Sequence, residues 1–228
     1  MPVFFTQKSP VIGIWKITES WQDMLESLQD NDYYSCYVDK ILSDKRKREW
    51  LAVRLLLKKL TATEEYIDYR HNGTPILRNS TDGISISHTT GFAALILSKN
   101  KNPGIDIEYH SGRAWRLREK YLGVKELEMF ASIPNSKSAA EKHTGNLYNN
   151  DIIISEYSKL STVCWCAKET AYKALQQSEV DFIEQLHIMP FVLSDNGAFT
   201  LKETKTPLQQ TFDIYYQITE DYVLTWKE

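Results

Sequence analysis

Trp50–Leu60 (WLAVRLLLKKL) and Trp165–Leu175 (WCAKETAYKAL) lie over one another without a gap, with Trp, Ala, Lys and Leu coincident. Both read as helices. The first opens at Ser43-Asp44, a hydroxyl cap and a first-turn acid, and runs through the basic start Lys45-Arg46-Lys47-Arg48 to about Leu60. Each half of the chain opens on a Gly-Ile strand, Gly13-Ile14 and Gly104-Ile105, and closes on a hairpin-like run, GFAAL (91–95) and DYVLT (221–225). Windows this short also coincide by chance. Taken as a repeat, they predict an α+β chain of two pseudo-twofold-related halves, residues 1–103 and 104–228. Each half is expected to be a small antiparallel sheet packed against a long helix, with the active site in the cleft between them. Arg54 and Glu169 would take equivalent places facing it.

The remaining elements follow from local pattern. The β-branched run Pro10–Ile17 reads as a strand, Ser20–Leu28 as a short capped helix, and Tyr66–Arg70 with Pro75–Leu77 as a hairpin about His71-Asn72-Gly73. Ile84–His88 and Phe92–Leu97 read as paired strands, and GIDIEY (104–109) as another. Helices are expected at Ala114–Leu122, Lys125–Phe130, from about Glu156, and again through Val163–Gln176. Strands are expected at Leu186–Leu193, Phe199–Lys202, Phe212–Ile218 and Tyr222–Trp226. The polar, Ser/Asn/Lys-rich stretch Ser132–Asn150 reads as a surface loop.

With 228 residues, 42% of them hydrophobic, and six tryptophans, the chain can bury a sizeable core. The net charge of −3 gives no footprint for nucleic acid or a membrane surface. The charge is uneven: residues 1–103 hold 14 Lys and Arg against 12 Asp and Glu, and residues 104–228 hold 13 against 18. A basic part beside an acidic one suits an anionic ligand that travels with a metal. Cys36, Cys164 and Cys166 are an odd set without zinc-type spacing and read as reduced, partly buried thiols of a cytoplasmic protein. The N-terminal apolar run is too short for a signal peptide, and no later run is long enough to span a bilayer.

Four constellations carry candidate chemistry. In Gly104-Ile105-Asp106-Ile107-Glu108 the two carboxylates share one face of a strand while the isoleucines enter the core. Such a pair suits Mg²⁺ or a similar hard cation, although any half-exposed strand alternates in this way. In Trp165–Lys173, Glu169 and Lys173 stand one helical turn apart. They could form an ordinary surface ion pair, or a third carboxylate and a cation for a metal-held phosphate. His88, ending Ser85-Ile86-Ser87-His88, is placed to reach a ligand or to serve as a structural histidine. Arg54 lies among Leu51, Val53, Leu55 and Leu56, where a phosphate would be a good partner if it is buried. A solvated basic face remains the plain reading of Lys45–Arg48.

Order and spacing together are more specific than any one of these. The chain resembles the phosphopantetheinyl transferase family, whose signatures are a G-[IV]-D-[IV]-E strand followed some tens of residues later by W-x-x-K-E-x-x-x-K on a helix. GIDIE (104–108) and WCAKETAYK (165–173) match both, and Ile86-Ser87-His88 matches the I-S-H that precedes them. The resemblance runs from about Asp44 to Leu175 and fits the longer, surfactin-type monomers with two pseudo-repeats. It implies Mg²⁺ (or Mn²⁺) ligands at Asp106, Glu108 and Glu169 and pyrophosphate lysines at Lys168 and Lys173. It also implies a coenzyme A site at Lys45, Arg48, Arg54, Thr74, Pro75, Ser87 and His88, which would hold the 3′-phosphate and adenosine end. The family often reads G-K-P where this chain has Gly73-Thr74-Pro75, so that the phosphate contact of the lysine would fall to backbone groups there.

What is implied is transfer of the 4′-phosphopantetheine of coenzyme A to a serine of an acyl or peptidyl carrier protein, with no covalent enzyme intermediate. Asp106, Glu169 and Lys173 would be the catalytic residues, and either Glu169 or a metal-bound water would take the serine proton. A catalytically inactive paralogue that holds coenzyme A or a carrier is the alternative. A nucleic-acid module led by the basic helix is disfavoured by the acidic balance.

Overall fold

A computed structural model describes residues 3–8, 10–100, 102–132 and 147–228. It is mixed α+β with antiparallel sheets, and among the described residues it holds six α-helices and eleven strands. The chain divides into two compact units. One comprises Met1–Ile107, Lys173–Gln176 and Glu228, and the other Glu108–Tyr172 and Gln177–Lys227.

In the first unit a four-stranded sheet has the order β1 (Val3–Lys8), β2 (Val11–Lys16), β6 (Phe92–Ser98), β5 (Gly83–Thr89), with antiparallel neighbours. The helices α1 (Trp21–Glu26), α2 (Asn31–Val38) and α3 (Asp44–Thr61) precede β3 (Ile67–Tyr69) and β4 (Pro75–Leu77). Side-chain acceptors start all three helices: Ser20, Asp30 and Ser43 take the backbone N–H groups of Asp23, Tyr33 and Arg46. Helix α3 lays Leu51, Ala52, Val53, Leu55, Leu56 and Leu57 into the core with Trp15, Ile84 and Leu95. Glycine at position 13 permits this approach, because a Cβ there would stand 2.7 Å from Leu56 Cδ1. Strands β5 and β6 join through the two-residue turn Thr90-Gly91, where Gly91 has φ +81°. Alternation along β5 sends Ile84, Ile86 and His88 to the α3 side and Ser85 and Ser87 to the other.

The second sheet has the order β7 (Gly104–Tyr109), β11 (Tyr222–Lys227), β10 (Thr211–Ile218), β9 (Asn196–Glu203), β8 (Leu186–Ile188). Phe212, Ile214, Tyr216 and Ile218 alternate with exposed positions along β10, as in a strand with one wet face. Short helices α4 (Arg113–Leu117) and α5 (Val124–Leu127) each continue into a 3₁₀ turn, ahead of α6 (Leu147–Leu175). From Leu160 to Ala171 α6 is buried on nearly every side. Thr170 Oγ1 meets Thr225 Oγ1 of β11 at 2.7 Å.

Several local expectations shift. The two helices expected from Glu156 and Val163 are one, because Ser161 and Thr162 return their hydroxyls to the Ser158 carbonyl and so stay within the helix. The strand expected over Leu186–Leu193 stops at Ile188, two residues before Pro190, which lacks a ladder donor. The stretches Ala114–Leu122 and Lys125–Phe130 tighten into 3₁₀ geometry. Helix α2 and strand β1 were not anticipated. Most of the stretch expected as a loop, residues 133–146, lies outside the described residues, and helix is already present from Leu147.

Candidate active site

Three sequence motifs meet at Asp106 in the first unit. Its Oδ1 accepts the Ser87 hydroxyl at 2.7 Å and the Lys173 ammonium at 2.7 Å. Ser87 comes from β5, Asp106 from β7, and Lys173 from the last turn of α6. Lys173 also donates to the Ile105 carbonyl at 3.0 Å, and Ser85 Oγ accepts the Ile105 N–H. Asp106 is buried whereas the Lys173 side chain is a quarter exposed, so the pair has one fixed and one reachable member. Both hydrogen bonds land on Oδ1.

His88, next along β5, faces α3. Its Nδ1 lies 3.3 Å from Glu49 Oε2, and Arg46 contacts both Glu49 (3.3 Å) and His88 Nε2. Lys45 stands 3.8 Å from Glu49 and also reaches Thr90. Burial lowers the His88 pKa and the charges of Arg46 and Lys173 push the same way, while Glu49 and Asp106 oppose them. Arg48, expected beside the ligand, is half-buried and makes no ion pair with the described residues. Arg46 and Glu49 were missed, although they stand three residues apart in a helix, with Lys45 four from Glu49, which is the spacing of facing side chains.

Arg54 is 6% exposed. Its guanidinium lies 3.7 Å from the centroid of the Trp50 ring and donates to the Trp50 carbonyl and, at 3.3 Å, to the Tyr69 hydroxyl. No described carboxylate pairs with it. Burial therefore pulls its pKa down, and a strong anion is the partner it lacks. Tyr69, half exposed, is in register with Pro75 across the β3–β4 hairpin, where Thr74 donates its backbone N–H to Asn72.

In the second unit Glu108 lines a pocket of about 260 Å³, with Arg113, Leu117, Tyr121 and Trp165 among its other walls. Glu169 is half-buried on α6. Among the described residues no group of three or more His, Cys, Asp or Glu side chains is placed to hold a metal ion. In kind, the oxygen-only set Asp106, Glu108 and Glu169 suits a hard divalent cation.

Lys168, expected beside the pyrophosphate, is 0% exposed. Its three protons go to Glu126 Oε2 and to the carbonyls of Tyr121 and Phe182, each at 2.7 Å. Glu126 also accepts the N–H groups of Gly123 and Ile188, so the network is satisfied at both ends. Burial pulls the Lys168 pKa down while Glu126 raises it.

No curated protein matches the chain. A family model described as 4′-phosphopantetheinyl transferase superfamily matches residues 102–227, more than half of the sequence. That span includes GIDIE, WCAKETAYK and the Lys173–Asp106 pair. The chain belongs to the 4′-phosphopantetheinyl transferase superfamily.

Proposed function

We propose that this protein transfers 4′-phosphopantetheine from coenzyme A to a serine of an acyl or peptidyl carrier protein, acting as a cytoplasmic monomer. The observation that carries this reading is the meeting of Ser87, Asp106 and Lys173, one residue from each of the three motifs, through two 2.7 Å hydrogen bonds. Asp106, Glu108 and Glu169 would hold Mg²⁺ or Mn²⁺. Bound there, the cation would neutralise the pyrophosphate of coenzyme A.

The chain's own residues then divide the work. Lys173, reachable yet anchored on Asp106, places positive charge where the leaving 3′,5′-bisphosphoadenosine gains negative charge. Glu169 takes the proton of the carrier serine as its oxygen attacks the β-phosphorus and the bond to the leaving phosphate breaks. The 3′-phosphate goes to the basic group of Lys45, His88 and Arg54, with Arg48 at its margin. The hairpin at Thr74-Pro75 and the half-exposed Tyr69 face the adenosine. Lys168, closed in its network, supports this site by fixing α6.

The test is one incubation with coenzyme A, Mg²⁺ and a panel of apo-carriers, read as mass added to each. EDTA should abolish the addition and Mg²⁺ restore it. Asp106→Ala should remain folded and lose activity about a hundredfold or more, the scale for a principal electrostatic element of a transition state. Coenzyme A binding without mass gain on any carrier would instead mark an inactive paralogue.

A further inference from the structure

Glu49 is a carboxylate 6% exposed, just ahead of the apolar run Leu51–Leu57 of α3, and its charge requires partners. Three cationic or potentially cationic groups supply them: Lys45, Arg46 and His88, at 3.8, 3.3 and 3.3 Å. Their side chains are 59%, 57% and 31% exposed, so the acid is fixed while its partners reach outward. Arg46 lies against the same ring, closer to Nε2 than to Nδ1, which is 3.5 Å away, and a guanidinium can only donate. Nδ1 is the nitrogen beside Glu49. A carboxylate can only accept, so its place beside Nδ1 favours the tautomer with the proton there.

We propose that Glu49 is a positioning residue: it holds the His88 ring by its Nδ1–H and turns Nε2, with Lys45 and Arg46, toward an incoming phosphate. The proposal rests on the reading above that this group receives the 3′-phosphate of coenzyme A. When the phosphate draws Arg46 away, Nε2 takes a proton from solvent and donates it to a phosphate oxygen. Burial, Arg46 and Lys173 oppose that charge, and Glu49 on the far nitrogen is the first group to offset it.

Calorimetry on the full chain with coenzyme A and 3′-dephospho-coenzyme A tests both levels. Wild type should prefer coenzyme A, and His88→Asn should reduce that preference. If wild type binds both cofactors alike, the phosphate reading falls, whatever Glu49 does. Glu49→Gln should weaken coenzyme A binding about tenfold, the range for losing a charge-assisted contact, and less than twofold when His88 is already Asn. Equal losses in the two backgrounds would overturn the positioning role while leaving the phosphate reading intact. Long-range ¹H–¹⁵N spectra of ligand-free wild type should show His88 protonated at Nδ1, and Glu49→Met should shift it toward Nε2. An Nε2–H tautomer in wild type would overturn the proposal without any variant.

Discussion

Two lysines of helix α6, Lys168 and Lys173, make ion pairs that are equally short, at 2.7 Å, and oppositely set. Lys168 and its Glu126 are 0% and 6% exposed, whereas Lys173 is 25% exposed above an Asp106 that is 8% exposed. Five residues turn a helix by about 140° beyond a full circle, so the two side chains leave it on different faces. Bond length therefore says little about role. What separates them is whether the donors are used up. Lys168 spends every proton on Glu126 and two carbonyls. Lys173 donates to Asp106 and to the Ile105 carbonyl and remains open to solvent. A closed pair holds structure, while an open one holds charge ready for a ligand.

The sharpest way to break this contrast is to delete each lysine. Lys168→Met should lower stability by about 3–5 kcal/mol, because it leaves Glu126 buried without its counter-charge. Urea midpoints at constant m-value would register the loss. Thiol labelling gives a second view. Burial raises the Cys164 pKa, and Cys164 and Cys166 are buried whereas Cys36 is exposed. One thiol should react in the native wild type and more in the variant. A Lys168→Met protein of wild-type stability would erase the distinction.

Lys173→Met should do the reverse. A loss on the order of a hundredfold in kcat/KM is expected, the scale for one transition-state donor, with the urea midpoint shifted by less than about 1 kcal/mol, as for a partly exposed pair. Equal damage to folding would place Lys173 with Lys168.

Arg54 tests whether the contrast extends to buried cations in general. Arg54→Ala should weaken coenzyme A by about 1.5–3 kcal/mol, while 3′-dephospho-coenzyme A, already weak, changes little. Calorimetry that finds equal changes for both would detach Arg54 from the 3′-phosphate.

The smallest effect is expected on the open surface. Arg118 is engaged by Trp115 and Glu119, whereas Arg113 and Arg116 are exposed. Arg116→Glu should raise the carrier KM severalfold at low salt, less at high salt, with coenzyme A affinity unchanged. A carrier KM that does not move would shift the docking surface elsewhere.

Much of this was legible in the residues. Ser43 and the apolar run from Leu51 to Leu57 announce α3 with its cap, and GIDIEY announces β7 residue for residue. Strong local signals acted alone there. Helix α2 was hidden because NDYYSCYV is aromatic and polar, and it folds against Trp50 and Tyr66 by packing that propensity does not encode. The Ser87–Asp106–Lys173 meeting was half visible. The motifs named the residues, but only the fold showed that Ser87 touches Asp106. Lys168 and Lys173 look alike as letters in one motif, and their different surroundings come from Glu126, 42 residues away.

The Lys173–Asp106 bond spans 67 residues of chain, and the first compact unit contains residues 173–176. On a ribosome adding about 5–20 residues per second, Asp106 emerges roughly 3–13 s before its lysine. Through that interval the nascent strand carries a carboxylate whose eventual counter-ion has not yet been made. Synthesis order thus makes the closing turn of α6 the step that supplies the counter-charge of Asp106.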